Sequence, residues 1–167
     1  MLGFHPHRPW NISTCVLLCC LVNFTDLSDA SAGLHGALSL PALIKSTSDG
    51  NLIFQFLLGG LVIDADDNVA MQDQEMASMR QGRAFLTLLN DNIPKTITAM
   101  ETLLEDLESQ EMALSQSRFE SLLFGTVYSA YKVKGHQGAE EQQAWTQLLG
   151  RLANVTFVEL RRMNGGF

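Results

Sequence analysis

The chain has 167 residues, 46% of them hydrophobic, with 11 basic and 18 acidic side chains and a formal net charge of −7. The length fits one domain with a core of its own. The acidic balance argues against nucleic acid as a partner, which needs clustered Lys and Arg, and against attraction to an anionic membrane surface.

The three cysteines, Cys15, Cys19 and Cys20, all lie in the apolar octet Cys15–Val22. Eight residues are far short of the roughly 20 that a membrane-spanning helix needs. They suit the apolar middle of a secretory signal peptide, with His5, His7 and Arg8 upstream and Asn23, Thr25 and Asp26 downstream. Ala30-Ser31-Ala32-Gly33 supplies the small residues of a cleavage site. Residues 1–32 are therefore expected to be a signal peptide cut after Ala32, with Ala30 the alternative. The competing readings are a short buried N-terminal helix of a cytosolic protein and a retained signal anchor. Cleavage removes Arg8, Asp26 and Asp29, leaving 10 basic and 16 acidic residues and a charge of −6. It also removes every thiol, which excludes a disulfide framework, a thiolate metal site and a cysteine nucleophile. Leu52–Ile63, the longest later apolar stretch, is too short to span a bilayer and is interrupted by Gln55 and two glycines. The ending RRMNGGF carries no lipid-anchor tail and no retention signal. The expected location is extracellular.

Gly33–Gly50, rich in Ser, Gly and Ala and holding Pro41, reads as a flexible N-terminal arm (33–50) ahead of a single helical domain (51–167). Asn51–Leu58 predicts a short buried helix ended by Gly59-Gly60. Leu61–Ile63 and Val69–Met71 flank the polar group Asp64–Asn68 and predict a β-hairpin. Asp73 is placed to cap a helix starting near Gln74, and Gly82 to break or bend it before Phe85–Leu89. In the next helix Asn92 is the expected cap, with Pro94 in the first turn. Ile97, Met100, Leu104 and Leu107 form its apolar stripe. A further helix starts near Ser115, or near Ser117 by its capping-box pattern, and carries Phe119, Leu122, Leu123, Thr126, Ala130 and Val133 on one side. After the loop KGHQG, Ala139–Met163 predicts a last helix with Trp145, Leu148, Leu149, Leu152, Val155 and Thr156 inward. The fold class is all-α for the most part: a small bundle of about four helices with one short β-hairpin.

Asn154-Val155-Thr156 is an N-glycosylation sequon. Asn154 lies nine residues after Trp145, half a turn round the helix, and is expected to face water. The sequons at Asn11 and Asn23 fall within the signal. Asp64, Asp66, Asn68, Ala70, Gln72 and Glu75 match the spacing of an EF-hand calcium loop, with Glu75 as bidentate ligand. Val69 stands where that loop needs glycine, so a plain acidic hairpin turn is the competing reading. Glu101, Glu105 and Glu108 share one side of a helix, either as a solvated flank or as a surface for a basic partner. His35 and His136 have no metal-ligand spacing, and no nucleophile-elbow motif is present. Arg161-Arg162 is either a dibasic processing site or a pair of charges complementing a helix C-terminus, with Gly165 as terminator.

The blocks GGLVIDADDNVAMQDQEMASMR, DNIPK and RFESLLFGTVYSAY resemble the vertebrate family with sequence similarity 180, over about Phe54 to Trp145. The sharpest matches are Gly59–Asp64, Glu75–Arg80 and Ile93–Lys95. The resemblance implies a small secreted protein and supplies no catalytic or binding residue. The expected function is a secreted, non-enzymatic, protein-binding or ligand-like helical module. It uses no cofactor and no membrane span, and its partner is a cell-surface or extracellular protein. The alternatives are a calcium-binding module on the 64–75 loop, and a hydrolase without a recognisable motif.

Overall fold

The computed structural model describes residues 42–135 and 138–164. The predicted signal peptide with its cysteines, most of the predicted arm, and His35 and His136 lie outside the described residues. Six α-helices and one hairpin follow in order: α1 (Thr47–Gly59), β1 (Leu61–Ile63), β2 (Val69–Met71), α2 (Gln74–Ser78), α3 (Arg80–Thr87), α4 (Ile97–Glu108), α5 (Gln116–Gly135) and α6 (Ala139–Asn164). The mostly helical class stands, but among the described residues six helices replace the expected four or so.

Part of that excess comes from the stretch after the hairpin. Asp73 caps α2 as expected, its carboxylate accepting from the Glu75 and Met76 amides at 2.9 and 3.1 Å. The break falls at Met79, whose backbone is extended, and not at Gly82. Gly82 sits inside α3, where a β-carbon would lie 1.9 Å from the Met76 carbonyl oxygen. Its role is close approach of one short helix to the other. A π-helical turn, Leu88–Asn92, then widens the exit from α3. The cap of α4 is Thr96, whose hydroxyl accepts from the Ala99 amide at 3.3 Å, instead of Asn92. Pro94 precedes the helix by two residues and cannot occupy its first turn.

Helix α5 forms the centre. Buried residues occur on every side of it, from Phe119 through Leu122–Ser129 to Lys132. A helix apolar all round must be covered all round. Helix α4 contributes Met100, Leu104 and Leu107, and α6 contributes Trp145, Leu148, Leu152 and Thr156. Rings tie the layers together. Phe56 of α1 lies 5.7 Å from Phe85 of α3, which meets Phe124 of α5 edge-on at 5.4 Å. Tyr128 of α5 meets Trp145 of α6 edge-on at 5.9 Å. Each such pair contributes about 0.5–1.5 kcal/mol beyond its burial.

Two buried carboxylates fix connecting chain onto the helices. Glu120, 1% exposed, accepts from the Leu43 and Ile44 amides at 2.7 and 2.9 Å. Gln116 Nε2 donates to the Ile44 carbonyl beside it. Ile44 is itself buried, and α1 opens at Thr47, four residues ahead of the expected start. Glu159 of α6 accepts from the Leu114 amide at 3.2 Å and from Arg162 at 2.7 Å, anchoring the α4–α5 loop.

Glu120→Gln tests the first clamp. The glutamine keeps one acceptor oxygen and turns an N–H toward the second donor, at an expected loss of about 1–3 kcal/mol at neutral pH. Burial outweighs the two backbone amides and raises the Glu120 pKa above 4.5. The folded state therefore holds this proton more tightly than the unfolded chain. The proton-linked part of its contribution, separate from the two hydrogen bonds, is fully present below pH 4.5 and is lost as pH rises through the raised folded value. Denaturation at a series of pH values should show that slope in the parent, and the parent–variant difference should carry it. Identical slopes would remove the buried-carboxylate account.

Gly82→Ala supplies a second check. Alanine favours a helix by about 1 kcal/mol over glycine. The clash with the Met76 carbonyl should reverse that sign and lower Tm. A raised Tm would show that α2 and α3 do not approach as described.

Candidate functional site

The site begins with the hairpin. Leu61 pairs with Met71, Val62 with Ala70 and Ile63 with Val69 in antiparallel register. The turn between the strands is built on one carboxylate. Asp64 accepts from the Asp66 and Asn68 amides, both at 2.9 Å, and from the Asn68 side chain at 3.4 Å. The Asn68 amide, and after it the Asp66 amide, hold the Asp64 carboxyl below the usual carboxylate range. Asp67 then takes a left-handed conformation, φ 64°, which short polar side chains tolerate best after glycine.

This strained residue points its carboxylate at α5. Lys132 Nζ lies 2.5 Å from Asp67 Oδ1 and 5.7 Å from the centre of the Trp145 ring. Lys132 is 8% exposed, so its ammonium is answered from within the protein. A second lysine flanks the first. Lys95 donates to the Leu89 carbonyl at 2.7 Å and to Asn90 Oδ1 at 3.3 Å, with its ammonium 4.6 Å over the Tyr128 ring. Burial depresses the Lys95 pKa against the opposing pull of Asp67, Asp91 and Asp64. Burial raises the Tyr128 pKa, and the nearby Asp67 carboxylate raises it further.

The outer edges of the short strands are occupied by side chains. Asn90 pairs with both backbone groups of Val69, accepting from its amide at 2.7 Å and donating to its carbonyl at 2.9 Å. The Leu61 amide donates to Tyr131 Oη at 3.4 Å. What stays open is a cleft of about 320 Å³ between the hairpin turn, the end of α5 and the start of α6. Ile63, Ala65 and Tyr131 supply its apolar lining, and Asp64, Asp67, Lys132 and Glu141 its charge. Its volume is at the lower end of ligand pockets.

The predicted calcium ligands are not brought together. Asp64 is engaged by the turn's own donors. Ala70 lies within β2 and Gln72 just past it, and Glu75 is in α2, at the end of the hairpin away from the turn. Among the described residues no group of three or more His, Cys, Asp or Glu side chains is gathered as a metal would require. None of the four histidines is among the described residues. The acidic flank of α4 is partly answered by neighbouring helices, Arg118 meeting Asp106 and Arg151 meeting Glu108 at 3.3 Å. Asn154 is exposed on α6. Arg161 lies over the Phe157 ring at 4.4 Å and Arg162 pairs with Glu159, both in the last turn of α6. Sequence reading missed Lys132, Lys95, Tyr131 and Asn90. The one local signal was a lysine in an otherwise apolar turn of α5.

A family model described as the FAM180 family matches residues 30–160. The human protein FAM180B is 26% identical over 147 residues, covering 87% of this chain and 80% of that protein. No solved structure matches the chain. Among the described residues no helix is long and apolar enough to cross a membrane.

Asp67→Asn isolates the ion pair at the centre of the site. Asparagine tolerates the left-handed turn, so only the charge is lost. Breaking a fully buried pair costs about 3–5 kcal/mol, but the Asp67 side chain is 38% exposed, and about 1–2 kcal/mol is expected. Chemical denaturation measures it. A variant as stable as the parent in low salt would show that Lys132 does not depend on Asp67.

Proposed function

The chain belongs to the FAM180 family, and from that premise we propose that it is a secreted, non-enzymatic protein-binding module whose recognition surface is the cleft at the hairpin turn. Export is supported by the apolar octet Cys15–Val22 and the small residues Ala30–Ala32 that follow it. Binding is supported by one observation above the others: the cleft's charged lining is already engaged. Lys132 is paired with Asp67 and covered by Trp145, while Asp64 caps the turn. Groups held this way are fixed in place and can orient a partner's side chains.

The cleft suits a short segment of a partner protein. Its floor accepts an apolar side chain between Ile63, Ala65 and Tyr131, and the carboxylates at its rim favour a cationic neighbour. The net charge of −6 left after removal of residues 1–32 steers in the same direction. Such a partner is a cell-surface or extracellular protein with a basic, partly apolar loop.

Ala65 is exposed at the cleft, so Ala65→Arg should block the cleft and leave Tm unchanged. Labelled full-length protein, recovered from the medium of expressing cells, should bind cell surfaces saturably. Ala65→Arg should weaken that binding at least tenfold, about 1.4 kcal/mol. Equal binding by the two proteins would remove the cleft as the recognition surface. Mass spectrometry that finds the chain only in cytosol, with Met1 retained, would overturn export.

A further inference from the structure

Two of the exposed large hydrophobic residues, Phe157 at 48% and Val158 at 40%, sit side by side on α6. They stand three and four residues after Asn154, the acceptor position of the sequon Asn154-Val155-Thr156. On a helix such residues are neighbours, with β-carbons about 5–6 Å apart. Side chains lean toward the helix N-terminus, which carries Phe157 and Val158 back over the turn of Asn154. Arg161 lies against the Phe157 ring, 4.4 Å from its centre. The third sequon residue is placed differently. Thr156 is 2% exposed, and its hydroxyl donates to the Leu152 carbonyl at 2.8 Å and lies 3.3 Å from the Thr126 hydroxyl of α5.

We propose that Asn154 carries an N-linked glycan whose first sugars cover Phe157 and Val158, and that the glycan is added before α6 docks on α5. The inference rests on the export reading above, because the transferring enzyme works inside the secretory pathway. The donor is an oligosaccharide on a lipid pyrophosphate. Asn154 Nδ2 forms a bond to C1 of its first sugar, the C1–O bond to the pyrophosphate breaks, and the lost amide proton passes to a base of the transferring enzyme. That enzyme must read the Thr156 hydroxyl along with Asn154. In the folded protein this hydroxyl is turned inward against Leu152 and Thr126. The reaction is therefore confined to the interval before the α5–α6 interface closes. The covered pair accounts for an aromatic and a branched aliphatic side chain left facing water on an otherwise polar helix face.

The test uses the full chain with Asn11→Gln and Asn23→Gln, so that Asn154 is the remaining sequon. It is translated with microsomes twice, once with its own N-terminus and once behind a foreign signal segment. Resistance to added protease reports import separately from modification. Imported chain should show one mobility shift that an N-glycan-releasing enzyme reverses and Asn154→Gln abolishes. Leu148→Ala, which loosens the α5–α6 contact, should raise the modified fraction even if it impairs folding. Failure of import behind its own N-terminus sinks the export reading alone, since the foreign signal still presents Asn154. An imported chain with no shift overturns the glycan. A modified fraction unchanged by Leu148→Ala overturns the order of events. Covering is read on the purified protein: Asn154→Gln should at least double the fluorescence of an apolar dye, and Phe157→Ser in that background should reverse it. Equal dye signals from the modified and Asn154→Gln proteins overturn the covering.

Discussion

Helix α5 has no side facing water along its middle turns, and this constraint shapes the rest of the molecule. A helix in that position can hold polar groups only where something inside the protein answers them. Four occur: Glu120, Thr126, Ser129 and Lys132. Glu120 is answered by the backbone ahead of α1, Thr126 by α6 and Lys132 by the hairpin turn. Ser129 Oγ is the exception, buried without a hydrogen-bond partner, as is Trp145 Nε1 on the facing helix. Apolar packing alone would let the surrounding elements slide along α5. Glu120, Thr126 and Lys132 each hold a partner at one height, so together they set the register of the N-terminal segment, α6 and the hairpin.

The cleft follows from one of these obligations. A two-stranded hairpin is marginal by itself. Here it is held because the buried ammonium of Lys132 requires a carboxylate, and the turn supplies Asp67 in a left-handed conformation. Drawing the turn onto the end of α5 leaves a hollow beside it, walled by the start of α6. Side chains of Asn90 and Tyr131 meet the outward backbone groups of Val69 and Leu61, which limits edge-to-edge pairing with another strand. The hollow therefore offers side-chain recognition more readily than strand addition.

The helices were legible where burial follows one stripe. Met100, Leu104 and Leu107 on α4, and Trp145, Leu148, Leu152 and Thr156 on α6, are all buried as their spacing predicted. The hairpin was legible as two apolar triplets around turn residues, and Asp73 as a cap. Other boundaries were lost for local reasons. Asn92 and Thr96 are both good caps, and the π-turn ending at Asn92 shifts the helix start to the second. The break at Met79 has no glycine or proline to mark it. The site was illegible for a different reason. Its central contacts join distant residues, Lys132 with Asp67 65 positions apart and Tyr131 with Leu61 70 apart, and the Glu120 clamp spans as much. On sequence alone Lys132 and Glu120 look like ordinary solvated helix charges.

The hairpin turn shows how one local pattern supports two incompatible structures. Alternate oxygen-bearing residues from Asp64 onward satisfy the spacing of a calcium loop. The same oxygens satisfy the amides of a tight turn, and geometry decides between them. A calcium loop must wrap its last ligand back to its first. Pairing Ile63 with Val69 instead sends the chain away, and Glu75 departs with α2. Val69 also matters here, since a branched residue favours the strand and opposes the sharp bend that glycine would permit. Once the turn is closed, its carboxylates have separate roles. Asp64 caps the backbone and Asp67 neutralises Lys132. The acidic turn thereby supplies, from a position outside the calcium spacing, the carboxylate that a lysine of the protein's own central helix requires. A relative that keeps a buried cation at position 132 needs an acceptor at this turn, whatever else its hairpin contains.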